Sequence, residues 1–228
     1  MHMLAIITAR GGSKRIPHKN IKKFCGKEIL AYSIEAARRS QVFEEVMVST
    51  DDVEIAEVAK KYGAAVPFMR SERASDDFAD TDTVLREVVQ EYKKRGVMVK
   101  EFCCLYPTAP FVTGEVLREA YEHFRETGAD ELVPVVRFSY PPQRGFVLDG
   151  ADLLYRWPEY KDKRSQDIEP IYHDAGQFYF MRSSALFRSS ESEYKRVAFI
   201  LDEMQVQDID TVEDWELAEL KFRMSRRV

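Results

Sequence analysis

The chain has 228 residues, with 34 Lys plus Arg against 39 Asp plus Glu, a formal net charge of -5, and 45% hydrophobic residues. That length and apolar content suit one globular domain with a sizeable core, and they exclude a disordered chain or a short stapled scaffold. The acidic balance excludes a globally basic binder of nucleic acid or membrane, so any bound anion must be met by a local cluster of cations.

Met1, His2 and Met3 read as a lead-in outside the fold. The apolar run 4–8 predicts a first strand, too short to span a bilayer. Leu30, Ile34 and Ala37 then recur at helical spacing over 29–39, and 45–50 reads as the next strand, closed by Asp51 and Asp52. Ile55, Ala56, Ala59 and Tyr62 mark a second helix, and 65–68 a short strand. The strongest helical stripe is Val84, Leu85, Val88, Val89 and Tyr92, ended by Gly96. A buried strand over 102–106 stops at Pro107 and Pro110. A helix carrying Val116, Leu117, Ala120, Tyr121 and Phe124 follows Thr113, and 131–136 is a further strand. This alternation predicts βαβ units around a largely parallel sheet.

The pattern breaks over 139–170, with prolines at 141 and 142, a hairpin turn at Asp149 and Gly150, and the aromatics Tyr155, Trp157 and Tyr160. Aromatics without helical period suit packing on a partner subunit. Strands over 177–181 and 197–201 and a closing helix around Trp215, Ala218 and Phe222 complete the chain. Three cysteines, Cys25, Cys103 and Cys104, make an odd count, and neighbours on a strand do not bridge readily. A reducing, cytoplasmic compartment is expected.

The most informative stretch is RGGSKRIPHKN, directly after the first strand, where an open α/β sheet presents its ligand crevice. Arg10, Lys14, Arg15, Lys19, Lys22 and Lys23 make the window 10–23 a +6 segment of an acidic chain. Gly11 and Gly12 let backbone amides turn toward an anion, a combination suited to a polyphosphate, although the spacing is neither a Walker A loop nor a dinucleotide fingerprint. On charge alone a solvated basic loop is the plainer reading; its place after the first strand favours the anion.

Asp208 and Asp210 flank Ile209 at the end of an expected short strand, so both carboxylates can share one hard divalent cation. Asp210 followed by Glu213 also fits a helix N-cap with its N3 acid. Arg70, Asp77 and Thr81 lie in a polar connection on the crevice side, where Asp80 or Thr81 caps the next helix. Arg164, Gln166, Tyr172, His173, Asp174 and Gln177 surround Gly176, dense in groups that could read a sugar. A lone histidine such as His173 is more often structural than catalytic.

Taken together, ARGGSKRIPHKN, VSTDD at 48–52, YPTAP at 106–110 and DIDT at 208–211 resemble the cytidylyltransferases that activate nonulosonic (sialic-type) acids, over nearly the whole chain. Relatives that use N-acetylneuraminate tend to have Gln where Tyr106 stands and Asn-Gly where Ala175-Gly176 stands; FSYPPQR and YHDAGQFY look instead like the branch that uses pseudaminic acid. The resemblance implies a three-layer, Rossmann-like nucleotide-diphospho-sugar transferase fold spanning 1–228 as a single domain, with a small protruding dimerisation arm at about 135–172. It further implies CTP and a nonulosonic acid as partners, a homodimer, and no nucleic acid or membrane.

Carried over by motif, Arg10 and Lys19, with Gly11, Gly12 and Ser13, would grip the CTP phosphates. Asn20, Arg70, Asp77 and Thr81 would lie near ribose and cytosine. Tyr106, Arg164, Gln166, His173, Asp174 and Gln177 would meet the sugar. Asp208 and Asp210 would hold Mg2+, with Arg10, Lys19 and Asp210 the catalytic set. The same chemistry on N-acetylneuraminate, legionaminate or 3-deoxy-manno-octulosonate is the alternative within the class, and a CTP-binding regulatory domain without turnover is the alternative outside it.

Overall fold

The computed structural model describes residues 2–76, 79–188 and 194–225. β1 (His2–Thr8) lies inside the sheet, and its alternation sends Met3, Ala5 and Ile7 to one core cluster and Leu4 and Ile6 to the other, the period of two that strand geometry dictates. Met3 is therefore part of the core, which corrects the expectation that residues 1–3 stand outside the fold. β2 (Lys23–Phe24) and β3 (Lys27–Glu28) form a small hairpin leading into α1 (Ile29–Ser40). β4 (Glu45–Ser49), α2 (Val53–Lys61), α3 (Glu72–Ser75) and α4 (Thr81–Lys94) follow. The strand expected over 65–68 reduces to one bridge between Met47 and Ala65.

β5 (Val99–Leu105) runs beside β1, and α5 (Gly114–Thr127), capped by Thr113, returns the chain to β6 (Glu131–Arg137). An exposed hairpin, β7 (Phe146–Asp149) and β8 (Asp152–Tyr155), precedes β9 (Tyr172–Asp174). β10 (Phe178–Arg182), α6 (Ser183–Leu186), β11 (Arg196–Ile200) and α7 (Val212–Ser225) close the fold. The main sheet has the order β11-β6-β10-β5-β1-β4, with β9 pairing β6. The pairs β1–β4, β1–β5 and β6–β11 are parallel, whereas β10 is antiparallel to both β5 and β6. Residues of α1, α2 and α5 pack on one face and those of α4 on the other, giving three layers.

The adjacent cysteines follow the same period. Cys103 belongs to one face's cluster and Cys104 to the other's, so both are free, and burial pushes the Cys104 thiol up to about 12. Among the described residues, no helix is long and apolar enough to cross a membrane.

One polar clasp ties the β2–β3 hairpin to the end of α2. Glu28 accepts from Tyr62 Oη at 2.7 Å and from Lys61 Nζ at 3.0 Å. The Tyr62 hydroxyl first, then the backbone N–H of Glu28 itself and, more weakly, Lys61 hold the Glu28 carboxyl at about 2 against an ordinary 4.5. Because the folded value is the lower one, the clasp contributes fully above pH 4.5 and is lost as pH falls toward 2. Glu28→Gln should flatten the acid limb of the stability curve across that window, measured by urea unfolding at stepped pH; an unchanged acid limb would remove this assignment.

Candidate active site

The carboxyl ends of three parallel neighbours, β4, β1 and β5, lie side by side, so the loops that follow them converge. There a cavity of about 530 Å³ is lined by Thr8, Arg10, Ser13, Lys14, Arg15, Lys19, Asn20, Arg70, Asp80, Thr81, Tyr106 and Asp210, among others. Four cations of the basic loop thus share one wall with a carboxylate from the far end of the chain.

The VSTDD segment seats this loop. Gly11 N–H donates to Asp51 Oδ1 at 2.9 Å. A Cβ at Gly11 would stand 2.8 Å from Asp52 Oδ2, so glycine is required by close approach. The expectation that Gly11 turns its amide to an anion is thereby corrected, because that donor is already used by Asp51. Asp52 caps α2 by accepting from Glu54 N and Ile55 N. Asn20 is buried and donates Nδ2 to Arg10 O at 2.8 Å, so it shapes the loop from beneath as well as lining the cavity.

Arg70 is 8% exposed, with Nε on Ser49 Oγ at 3.1 Å and Nη2 on Ser49 O at 2.6 Å. Burial lowers its pKa, partly countered by the charges of Asp51 and Glu87, and a guanidinium keeps its charge under such a shift. Asp80 is the cap of α4, accepting from Thr83 N at 2.8 Å, which leaves Thr81 free of that role on the cavity wall. Asp77 lies outside the described residues.

At the other end of the chain the structure moves the cap by one residue. Thr211 Oγ1 accepts from Asp214 N at 3.2 Å, while Asp214 Oδ2 accepts from Thr211 N at 2.8 Å. This is a capping box on Thr211 and Asp214, not on Asp210 and Glu213, and the reciprocal bonds keep the Asp214 carboxyl below its usual range. The short strand expected before it is extended coil, with Ile209 anchored in the core instead. Asp210 is thereby available: Arg15 Nη2 lies 3.0 Å and Lys19 Nζ 3.5 Å from its Oδ1, and Lys19 Nζ also donates to Ile209 O at 2.7 Å. Burial and then the charge of Asp210 raise the Asp208 carboxyl above its ordinary value.

The sugar-side residues divide. Asp174 accepts from Tyr179 Oη at 2.8 and 2.9 Å and from Gly176 N at 2.8 Å, and the Tyr179 ring leans on that of Tyr106, which lines the cavity. The His173 ring lies against Phe138, tilted by 56° with centroids 4.8 Å apart, and its Nδ1 lies 2.9 Å from Asp174 O. Gln177 is 1% exposed and its Nε2 donates to Ala175 O and Gly176 O, so it supports the turn from inside. Arg164 is paired with Asp167, and Gln166 lines a separate cleft of about 140 Å³ beside Phe138 and Pro141. Both ride on the arm, away from the cavity of their own chain. Tyr179 escaped the sequence reading although the strand carrying it was seen; alternation with the core residues Phe178 and Phe180 was the available signal.

Residues 4–221 match a family model described as cytidylyltransferase. The chain belongs to this cytidylyltransferase family. It is 42% identical to the pseudaminic acid cytidylyltransferase of Campylobacter jejuni, over 99% of this chain and 98% of that protein. It is 34% identical to the CMP-N,N'-diacetyllegionaminic acid synthase of Legionella pneumophila over the same shares. Among solved structures, CMP:2-keto-3-deoxy-manno-octonic acid synthetase complexed with CTP superposes with a TM-score of 0.70 at 18% identity, covering all of both chains. That likeness confirms the three-layer nucleotidyltransferase fold expected from the sequence.

The cap assignment is open to direct measurement. Thr211→Ala should cost about 1 kcal/mol of stability, whereas Asp210→Ala should leave the denaturation midpoint within about 0.5 kcal/mol of the parent. Equal losses from both would restore Asp210 as the cap.

Proposed function

We propose that this cytidylyltransferase transfers CMP from CTP to the anomeric hydroxyl of pseudaminic acid, releasing pyrophosphate. The observation that carries the reading is the cavity itself, where Arg10, Lys14, Arg15 and Lys19 of one loop converge with the buried Arg70 and with Asp210. The identity to pseudaminic acid enzymes over nearly the full length supports that sugar over its congeners, as do Tyr106 and Ala175-Gly176.

In this reading the sugar hydroxyl attacks the α-phosphorus in line, its new P–O bond replaces the one to the β-phosphate, and pyrophosphate leaves. Arg10 and Lys19 neutralise charge that grows on the phosphate oxygens, with Ser13 and the Gly12 amide alongside. Arg70 and Thr81 border the nucleoside end, and Asn20 holds the loop in shape. For Mg2+, Asp208 and Asp210 would serve as an oxygen donor pair: burial first and then the charge of Asp210 raise the Asp208 carboxyl, and a hard cation there would relieve that repulsion. No group of three His, Cys, Asp or Glu is available among the described residues, so phosphate oxygens and water would complete the shell. Bound there, the cation supplies charge neutralisation on the phosphates.

We further propose that the chain works as a homodimer through the arm. Both strands of the β7–β8 hairpin are exposed along their whole length, with Leu148 75% and Leu153 60% exposed. A lone two-stranded hairpin is marginal in water, and an apolar patch of this kind marks a partner surface. Arg164 and Gln166 on the same arm would then serve the partner's sugar site. Three free cysteines suit the reducing cytoplasm where this reaction is placed.

Incubating the protein with CTP, Mg2+ and each of pseudaminate, legionaminate, N-acetylneuraminate and 3-deoxy-manno-octulosonate, and following pyrophosphate, should give highest kcat/KM with pseudaminate. Release with none of them removes the reading. Asp208→Asn and Asp210→Asn should each lower kcat by about a hundredfold or more; full Mg2+-dependent turnover in either would clear that residue of the role. For the arm, sedimentation of the parent should give a dimer and of Leu148→Asp a monomer, and a monomeric parent would refute the assembly.

A further inference from the structure

The nucleotide site proposed above, on which this inference rests, uses Arg70 as a donor on its wall, so what aims that side chain matters. Arg70 lines the cavity and is 8% exposed. Ser49 takes up one edge of the guanidinium, Nε at 3.1 Å through its hydroxyl and Nη2 at 2.6 Å through its carbonyl oxygen. Because the guanidinium is a rigid planar fork, engaging that edge also sets the direction of Nη1.

The backbone carrying this fork is held at both of its peptide units. On the N-terminal side, Arg70 N–H donates to Thr50 O at 2.8 Å, directly after β4. On the C-terminal side the peptide N–H belongs to Ser71, and it donates to Glu87 Oε1 at 3.0 Å. The Ser71 hydroxyl donates to Glu87 Oε2, while the same oxygen accepts from Ala74 N at 3.3 Å as the cap of α3. Glu87 comes from the middle of α4, where Leu85, Val88 and Val89 are fixed in the core. A rigid helix thus reaches across to the residue after Arg70. Glu87 faces the guanidinium electrostatically too: burial lowers the Arg70 pKa, and the charges of Asp51 and then Glu87 oppose that.

We propose that Glu87 is a positioning residue for nucleotide binding, clamping the peptide unit after Arg70 through Ser71 so that the guanidinium stays aimed into the cavity. Without the clamp, Arg70 is tethered through one peptide unit, and ordering it falls to the nucleotide, which binds more weakly for that cost. The effect belongs to CTP affinity, since the turn at 174–177 hangs from β9 and β10 and not from α4.

Calorimetric titration with CTP alone, beside steady-state kinetics, reads this out. Glu87→Ala should weaken CTP binding about fivefold or more and raise the CTP KM to match, with kcat at saturating CTP and the sugar KM within about twofold of the parent. Glu87→Gln keeps an acceptor for Ser71 N–H and a partner for its hydroxyl, so it should restore CTP binding to within about twofold. In an Arg70→Lys background, Glu87→Ala should add less than about twofold, because Glu87 acts through the Arg70 fork. Unchanged CTP affinity in Glu87→Ala, a glutamine variant as weak as the alanine one, or losses that add in the double variant would each overturn the proposal. Pyrophosphate release by the parent keeps the functional reading intact through any of those results. A parent that binds no CTP would overturn both.

Discussion

The site depends on one apolar contact that holds two ends of the chain together. Ile209, 1% exposed, packs in a cluster with Ile16, Phe24, Phe111, Trp215 and Phe222. The aromatic members meet edge to face, Phe24 lying 5.5 Å from Trp215 and 5.3 Å from Phe222, an arrangement that adds about 0.5–1.5 kcal/mol per pair beyond area burial. This anchors the segment around Asp208 and Asp210 under the basic loop, and Lys19 completes the join by donating to Ile209 O. Neither charged element is comfortable alone: six cations crowd one loop, and two carboxylates flank one residue. The aromatic cluster supplies the attraction that charge at this exposure does not, because ion pairs in contact with water are worth little.

The sheet decides what else reaches that join. With β4, β1 and β5 parallel, their following loops share one edge, which sets Arg10, Asp51 and Tyr106 together. The reversed strand β10 does the complementary work. Its register pairs Phe178 with Leu105 and Tyr179 with Cys104, so its beginning, not its end, lies beside the carboxyl end of β5. A parallel strand in that slot would carry residues 174–179 to the opposite edge. The antiparallel insertion of β10 is therefore what brings the turn at 174–177 beside the carboxyl end of β5.

Much of this was legible in the sequence. The alternating strands, the stripe of α4, the Thr113 cap and the hairpin at Asp149-Gly150 all rest on local periodicity or turn chemistry, which one segment carries by itself. The failures share a different cause. Whether 65–68 pairs as a strand depends on its neighbour β4, and whether Asp210 or Thr211 caps α7 depends on where the helix begins, a shift of one residue that spacing does not resolve. Asn20 and Gln177 are polar residues whose depth is set by the loop and the turn folded over them, which spacing along the chain does not reveal. Alternation with Phe178 and Phe180 sets Tyr179 apart from the core, but only the return of β9 to β6 sets Asp174 against its hydroxyl.

The arm exposes the limit of reading one chain. In the main sheet the hydrophobic period separates an inner from an outer face, but in β7 and β8 both faces are open, and Phe146 meets Tyr155 at 4.5 Å with neither ring sheltered. Cross-strand pairs of this kind stabilise a hairpin by only about 0.2–1 kcal/mol each, too little to hold an isolated ribbon so rich in exposed apolar surface. That exposed apolar ribbon is the observation on which the proposed dimer rests. The sugar-side residues that fail to reach their own cavity, Arg164 and Gln166, lie on the same excursion. One geometric fact thus accounts for both: the arm leaves the sheet at β6 and returns at β9, so whatever it carries is presented outward.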